Sequence, residues 1–261
     1  MGLKIIILLT IPILLLSDIT YNEEHYMILK NGIEKWKEWR KKHSDLRPNL
    51  NYVNLYKLFR DLGYYYEGYG IDVTIDLSNT GLIKANLSKI KFSNSNFSNA
   101  NLERANLSKA QFGYCDAKKT NFNYANLEEF KFDMLGDYRQ ATFCFANLKK
   151  VKSKKRRHIG NSFRFDKADF SNADFEEASL ISSIFPKANF SNANLFKANF
   201  SYSSFASANF QNVNAKMAKF NNGDFSCFFF YLYSHLTGRS EKIIFKRGAD
   251  LTNADFTQTE V

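Results

Sequence analysis

The sequence predicts an all-β solenoid, a chain wound into stacked coils, and three observations lead there. A large apolar residue recurs every five positions through two long stretches, starting at Leu77 and at Phe165. A small residue precedes most of these by two positions. Neither an α-helix nor a single β-strand can use a period of five, so each unit must contain its own change of direction.

The first array runs Leu77, Leu82, Leu87, Phe92, Phe97, Leu102, Leu107, Phe112, Ala117, Phe122, Leu127 and Phe132, with Ala117 its one small member. The second runs Phe165, Phe170, Phe175, Leu180, Phe185, Phe190, Leu195, Phe200, Phe205, Phe210, Ala215, Phe220 and Phe225. Phe143 with Leu148, and Leu251 with Phe256, add two pairs in shifted register. Two residues earlier, Ala, Ser, Thr, Cys or Gly fills 9 of 12 places in the first array and 11 of 13 in the second, which marks that position as interior too. Between them Asn or Asp is commonest, as at Asn86, Asn101, Asp169 and Asn189. On an α-helix five residues turn through about 500°, so the large series would drift by about 140° per unit and wrap the axis. On a flat strand an odd period sends successive members to opposite faces. A short extended piece closed by a tight turn brings both positions back to one interior.

This unit, A-[N/D]-[L/F]-x-x, resembles the pentapeptide-repeat family over most of the chain. The resemblance implies a right-handed quadrilateral β-helix. Four pentads would make one square turn, with the Leu or Phe and the small residue pointing inward and the other three outward. The 29 clear units would then give about seven coils, stacked at ~4.8 Å into a rod of roughly 35 Å. Arg47, Pro48 and Leu50, following a helical stretch, are similar to the lead-in of bacterial members, many of them cyanobacterial.

At the N-terminus Lys4 precedes the apolar run Ile5–Leu16, which is broken by Thr10 and Pro12 and closed by Ser17 and Asp18. That is short for a membrane span and suits a signal-peptide core. Residues 1–20 therefore read as a signal peptide or N-terminal membrane anchor. Export or membrane anchoring is the expected location, and a cytoplasmic chain with a buried N-terminal element is the alternative.

Residues 21–76 read as a helical cap and an irregular first coil. Leu29, Ile33 and Trp36 fall on one helical face with Trp39 beside them, while Lys35, Lys37, Glu38, Arg40 and Lys41 fall elsewhere. Tyr26–His43 is thus expected to be one amphipathic helix lidding the first coil. Pro48 ends it, Leu50 and Leu55 begin an incomplete coil, and Tyr56–Ile71 interrupts the repeat. Residues 77–261 read as the β-helix proper, with insertions at 149–162 and 228–248. Such loops are where a repeat protein usually carries its specificity.

The chain shows no signature of an enzyme or of a cofactor. Cys115, Cys144 and Cys227 have spacings that suit neither a disulfide framework nor a metal site, so all three read as buried small residues. His25, His43, His158 and His235 lie in no metal or catalytic motif, and no phosphate-cradling glycine string occurs. Asn-x-Ser strings at Asn86, Asn96, Asn106, Asn189 and Asn199 match a glycosylation pattern but arise whenever the repeat continues with Ser.

The formal charge of +10 is local. Residues 1–76 carry 10 basic and 10 acidic groups, residues 77–148 carry 9 and 6, and residues 163–261 carry 10 and 10. The remaining +7 is Lys149, Lys150, Lys152, Lys154, Lys155, Arg156 and Arg157, which reads as a basic loop rather than a basic face.

Three functions stay open. The first is a noncatalytic structural or protein-interaction module. It would use an outer coil face and the aromatics Phe228, Phe229, Phe230, Tyr231 and Tyr233 to hold an unknown protein partner or a second copy, unless those aromatics simply pack over the final coils. The second is binding of a nucleic-acid backbone or an anionic membrane through 149–158, although no aromatics interleave those cations for base stacking. The third comes from the resemblance: some members imitate duplex DNA and inhibit DNA gyrase. That needs a strongly acidic surface, and these arrays are neutral to basic.

Overall fold

The chain winds into stacked coils in a computed structural model that describes residues 21–66, 70–133, 135–153, 163–221 and 223–224. Parallel bridges join Asp76 to Asn96, Gly81 to Asn101 and Asn86 to Asn106, each 20 residues apart, so four pentads close one coil. Every pentad turns the chain once. The amide of Ala85 donates to the carbonyl of Leu82 at 3.0 Å, and the same bond recurs from pentad to pentad. The second residue after each Leu or Phe has positive φ, from Asn79 at 56° to Met217 at 56°. The expected tight turn is therefore a left-handed corner. Between corners the backbone bonds to its neighbours on both sides: Leu82 donates to Asn101 at 2.7 Å, and Asn101 donates to Thr80 at 2.9 Å.

The large residues form interior columns. One runs Leu50, Leu82, Leu102, Phe122, Phe143, Phe170, Phe190 and Phe210, all fully buried. Its rings stack at 4.7 Å (Phe122–Phe143), 4.8 Å (Phe143–Phe170), 5.0 Å (Phe170–Phe190) and 5.0 Å (Phe190–Phe210). Rings of neighbouring columns meet edge to face, Phe185 with Phe190 at 66° and Phe205 with Phe210 at 64°. Both arrangements suit the aromatic quadrupole. Several polar residues at the small position bond to the coil before them, Thr120 Oγ1 donating to Phe97 O at 2.7 Å and Cys115 Sγ to Phe92 O at 3.5 Å, while Ser183 Oγ is buried without a hydrogen-bond partner.

One side of the rod is a continuous sheet. After the helix α3 (Leu55–Asp61), β1 (Tyr65–Tyr66) pairs antiparallel with β2 (Gly70–Val73). Parallel to β2 follow β3 (Ile90–Ser93), β4 (Gln111–Gly113), β5 (Lys131–Asp133) and β6 (Lys152–Ser153). The coil thus begins before the interruption, since Asn49 and Asn54 bridge Gly81 and Asn86 and place Leu50 and Leu55 as expected. It also runs on through Ser153. Lys149 and Lys150 occupy an ordinary corner and Lys152 is held in β6, while residues 154–162 of the expected 149–162 insertion lie outside the described residues.

The irregular members of the first array fall in one coil. Ala117 leaves its column short of a ring, and the same coil gains Phe130 at a small position, fully buried between Phe112 at 5.0 Å and Phe132 at 4.8 Å. That same coil is one residue longer, with Asp116 bridging Asp137, and the shift makes Tyr138 the large residue of the next coil, a position missed in the sequence. Gly136 is required there, since a Cβ would lie 2.5 Å from Tyr138 Cε2. The Tyr138 hydroxyl is buried without a hydrogen-bond partner, and burial raises its pKa far above the ordinary value. Tyr138→Phe is expected to raise stability by about 1 kcal/mol, read from the urea midpoint. A fall would place a bonded water at that hydroxyl.

At the N-terminal end the expected single helix is two. Asn22 Oδ1 accepts the His25 amide at 3.0 Å and starts α1 (Glu23–Lys30). Gly32, at φ 108°, breaks the run, and α2 (Ile33–Lys42) follows. Leu29, Ile33 and Trp36 are buried as the periodicity requires. Trp36 Nε1 donates to Asp76 O at 2.6 Å, on the first coil. Arg40, expected on the solvent side, is only 4% exposed. Its guanidinium donates to Ser78 O at 3.1 Å and Leu46 O at 3.1 Å. Among the described residues no helix is long and apolar enough to cross a membrane. The proposed signal segment and the 228–248 insertion lie outside the described residues.

Candidate interaction surface

Two outward positions of each pentad are largely committed to the fold. Asn86 Oδ1 accepts the Ser88 amide at 3.0 Å and Asp174 Oδ1 the Glu176 amide at 3.1 Å, each closing the start of a corner. The same side chains form ladders along the rod: Asn121 Nδ2 donates to Asn101 Oδ1 at 3.1 Å, and Asn209 Nδ2 to Asn189 Oδ1 at 3.1 Å. This explains the preference for Asn or Asp, which can bond its own backbone two residues on. All five Asn-x-Ser strings place their Asn in this role, accepting the Ser amide.

The corner residues are freer, and their identities are unexpected. A left-handed φ suits Asn or Gly and costs a bulky residue on the order of 1–3 kcal/mol. Yet Tyr52, Tyr114, Tyr124, Phe145 and Tyr202 all sit at such corners, and all are exposed, Phe145 by 52% and Tyr202 by 59%. Neither backbone conformation nor burial selects these aromatics. One corner row runs Tyr52, Lys84, Arg104, Tyr124 and Phe145 before turning to Asn172, Asn192 and Asn212. Tyr124 and Phe145 stack on successive coils at 5.1 Å and 2°. The Arg104 guanidinium lies 4.9 Å over Tyr124, and Lys84 Nζ 5.2 Å over Tyr52. The result is an exposed ridge of rings and cations, assembled from residues about a coil apart.

The charged rows mix signs. Asp116, Lys118, Asp137 and Arg139 form one network, with Arg139 to Asp137 at 2.7 Å and Lys118 to Asp137 at 3.3 Å. Burial pushes the Asp137 carboxyl up, but the bonds from Arg139 and the Lys118 charge outweigh it and hold it below the usual value. Of the seven basic candidates, Lys149 Nζ reaches Glu176 at 2.7 Å and Asp174 at 3.2 Å. Its bond to Glu176 contributes most to a raised pKa. Lys150 stands 4.0 Å from Glu177, and Lys152 lines a cleft on the sheet side. Lys154, Lys155, Arg156, Arg157, Phe228, Phe229, Phe230, Tyr231 and Tyr233 lie outside the described residues.

Two of the three cysteines can be placed. Cys115 is buried at a small position, and burial pushes its thiol up to about 12, so it stays protonated. Cys144 corrects the expectation of a buried small residue. It directly follows Phe143 at the start of a corner, is half-exposed, and accepts from Ser171 Oγ at 3.4 Å. Cys227, His158 and His235 lie outside the described residues. Among the described residues no group of His, Cys, Asp or Glu is arranged to hold a metal.

His25 serves the N-terminal packing. Its Nδ1 accepts the Asn49 amide at 3.1 Å, which needs the neutral ring. Burial lowers its pKa first, the Arg40 charge adds to that, and Glu24 opposes. A folded pKa below the unfolded ~6.5 gives stability that is complete above that value and lost as pH falls through the folded pKa. Trp39 lies 5.1 Å from the ring. Tryptophan fluorescence is therefore expected to show weakened docking of α1 and α2 as the pH falls below about 6.5, and His25→Gln should abolish that dependence.

A family model for pentapeptide repeats matches the chain in 8 copies, over residues 75–99, 85–123, 100–133, 164–195 and 188–226. None of the curated proteins matches it. Among solved structures, HetL is described as a pentapeptide repeat protein involved in heterocyst differentiation regulation, from the cyanobacterium Nostoc sp. strain PCC 7120. It is similar at 20% identity, covering 86% of this chain and 93% of that one, with a TM-score of 0.43. QnrB1, a plasmid-mediated fluoroquinolone resistance protein, is similar at 16% identity over 70% of this chain and 92% of that one, with a TM-score of 0.31. With the matched pentads coinciding with the coils, the chain belongs to the pentapeptide-repeat proteins, whose fold is a right-handed β-helix.

Proposed function

We propose that this chain is a noncatalytic interaction module that holds a protein partner or a second copy of itself against an outer corner of its rod. The exposed stack of Tyr124 on Phe145, at corner positions where Asn would be less strained, carries the reading. Large rings at the centre of a contact supply much of its binding energy. The helices α1 and α2 serve as the cap of the first coil, a role supported by Trp36 and Arg40 bonding to Asp76 and Ser78. An open coil end needs such a cover. Residues 77–261 form the rod proper, Phe228–Tyr233 add a second contact, and residues 1–20 direct export or anchoring, with a cytoplasmic location as the alternative.

Phosphate-backbone or membrane binding through Lys149–His158 is weakened by the carboxylates that already hold Lys149 and Lys150. DNA mimicry needs an acidic face, and these rows pair both signs. The test replaces Tyr124 and Phe145 together by Ser. Self-association in sedimentation, or crosslinking to a partner in cells, is expected to fall about tenfold or more with the unfolding midpoint unchanged. An unaltered association state and an unaltered set of crosslinked partners would sink the reading.

A further inference from the structure

Many of the charges that meet on successive coils of this rod are of opposite sign. Lys91 lies 2.7 Å from Asp72, Lys109 3.6 Å from Glu129, Lys118 3.3 Å from Asp137, Lys149 2.7 Å from Glu176 and Lys150 4.0 Å from Glu177. Where the like charges Asp116 and Asp137 face each other, Lys118 bonds both at 2.8 and 3.3 Å, whereas on the sheet side β5 and β6 set Lys131 opposite Lys152 in register. Adjacent strands are ~4.8 Å apart, and like charges facing each other at that spacing oppose the pairing. Neither lysine is in an ion pair among the described residues. Both are exposed, and with Lys150 they line a cleft of about 360 Å³ whose other walls are Glu129 and Glu177. Those two carboxylates are held by Lys109 and Lys150, so they do not neutralise the pair.

We propose that this cleft binds one dianionic phosphate, inorganic or as a terminal monoester, between the ammonium groups of Lys131 and Lys152. A phosphate brings two charges and several acceptor oxygens to two point-charge donors, whereas a carboxylate would match only one of them. A nucleic-acid backbone fits less well. It needs a run of uncompensated cations, and along this row the neighbours are Gln111 on one side and Ser179 on the other, with Lys91 beyond already paired to Asp72.

The test uses the full chain at low ionic strength, following thermal unfolding while inorganic phosphate is titrated against chloride of equal ionic strength. Phosphate is expected to raise the Tm of the wild type, and Lys131→Gln or Lys152→Gln to weaken that response about tenfold or more. Without phosphate, Lys131→Glu is expected to raise the Tm, because it restores opposite signs across β5 and β6. An equal phosphate response in wild type and variants overturns the proposal, as does a Tm that falls in Lys131→Glu. If phosphate has no effect while a short DNA duplex or phosphatidylglycerol vesicles bind in a Lys131-dependent way, the site is a polyanion contact and the single-phosphate assignment is wrong.

Discussion

Ala198→Glu is expected to melt the C-terminal coils while leaving the N-terminal ones folded. Ala198 is fully buried, and its carbonyl accepts the Lys219 amide at 2.8 Å, so it sits between two coils with no route to water. The next residue, Asn199, donates to Ala178 O at 2.8 Å in the coil before, which puts Ala178, Ala198 and Ala218 in one column of small side chains. A carboxylate there has neither room nor partner. An isolated charge in such a setting costs far more than the ~4–5 kcal/mol that marks an exceptional substitution. In a solenoid each coil contacts only its neighbours, so the damage should stay local. Hydrogen exchange is the measurement: amides from about Ala178 to Lys219 should lose protection while those around Leu102 and Phe122 keep it. Uniform loss along the rod would mean that the coils fold as one cooperative unit.

Phe130→Ala carries the second large effect. Phe130 fills space between Phe112 and Phe132 in the coil where Ala117 stands in place of a Leu or Phe. Its removal is expected to cost about 3–5 kcal/mol. Ala117→Phe alone overpacks the same coil, by about 1–3 kcal/mol. Together the two changes restore the ordinary repeat, so the double variant should be more stable than the sum of the singles predicts, by at least about 1 kcal/mol. Denaturant unfolding of the four proteins measures that coupling. Simple additivity would show that Ala117 and Phe130 are independent irregularities rather than a volume exchange.

These two predictions draw on different readings. Ala198 was placed in the interior by its spacing alone, since Ala two residues before Phe recurs throughout the array. The Ala117–Phe130 exchange needed the coil, because residues 13 apart in sequence become members of one layer only when four pentads close a turn. The same holds for Tyr138. One extra residue before it moved the register, and the sequence pattern resumed at Phe143 without saying which residue filled the place between.

The candidate surface was less legible still. The charged and aromatic segments 149–158 and 228–233 stand out as runs in the sequence, and they drew attention for that reason. Tyr124 and Phe145 do not stand out, because each is an isolated aromatic among polar neighbours. Reading every fourth pentad as one row would have found them together. Arg40 was misplaced by helical periodicity, which treats any cation as solvent-facing and knows nothing of the Ser78 and Leu46 carbonyls that receive it.

What the sequence by itself determined is the period, the two interior positions, the turn in every pentad and hence the coil. These are local: a five-residue unit either returns its apolar side chains to one side or it does not, and runs of 12 and 13 in-register units leave no other solution. What only the tertiary structure decided is which residues meet across coils. Stacking places side chains about 20 residues apart within a few ångströms. Thus the Asn ladders, the ring-on-ring columns, the Tyr124–Phe145 ridge and the facing Lys131 and Lys152 all depend on register, which a single inserted residue can shift.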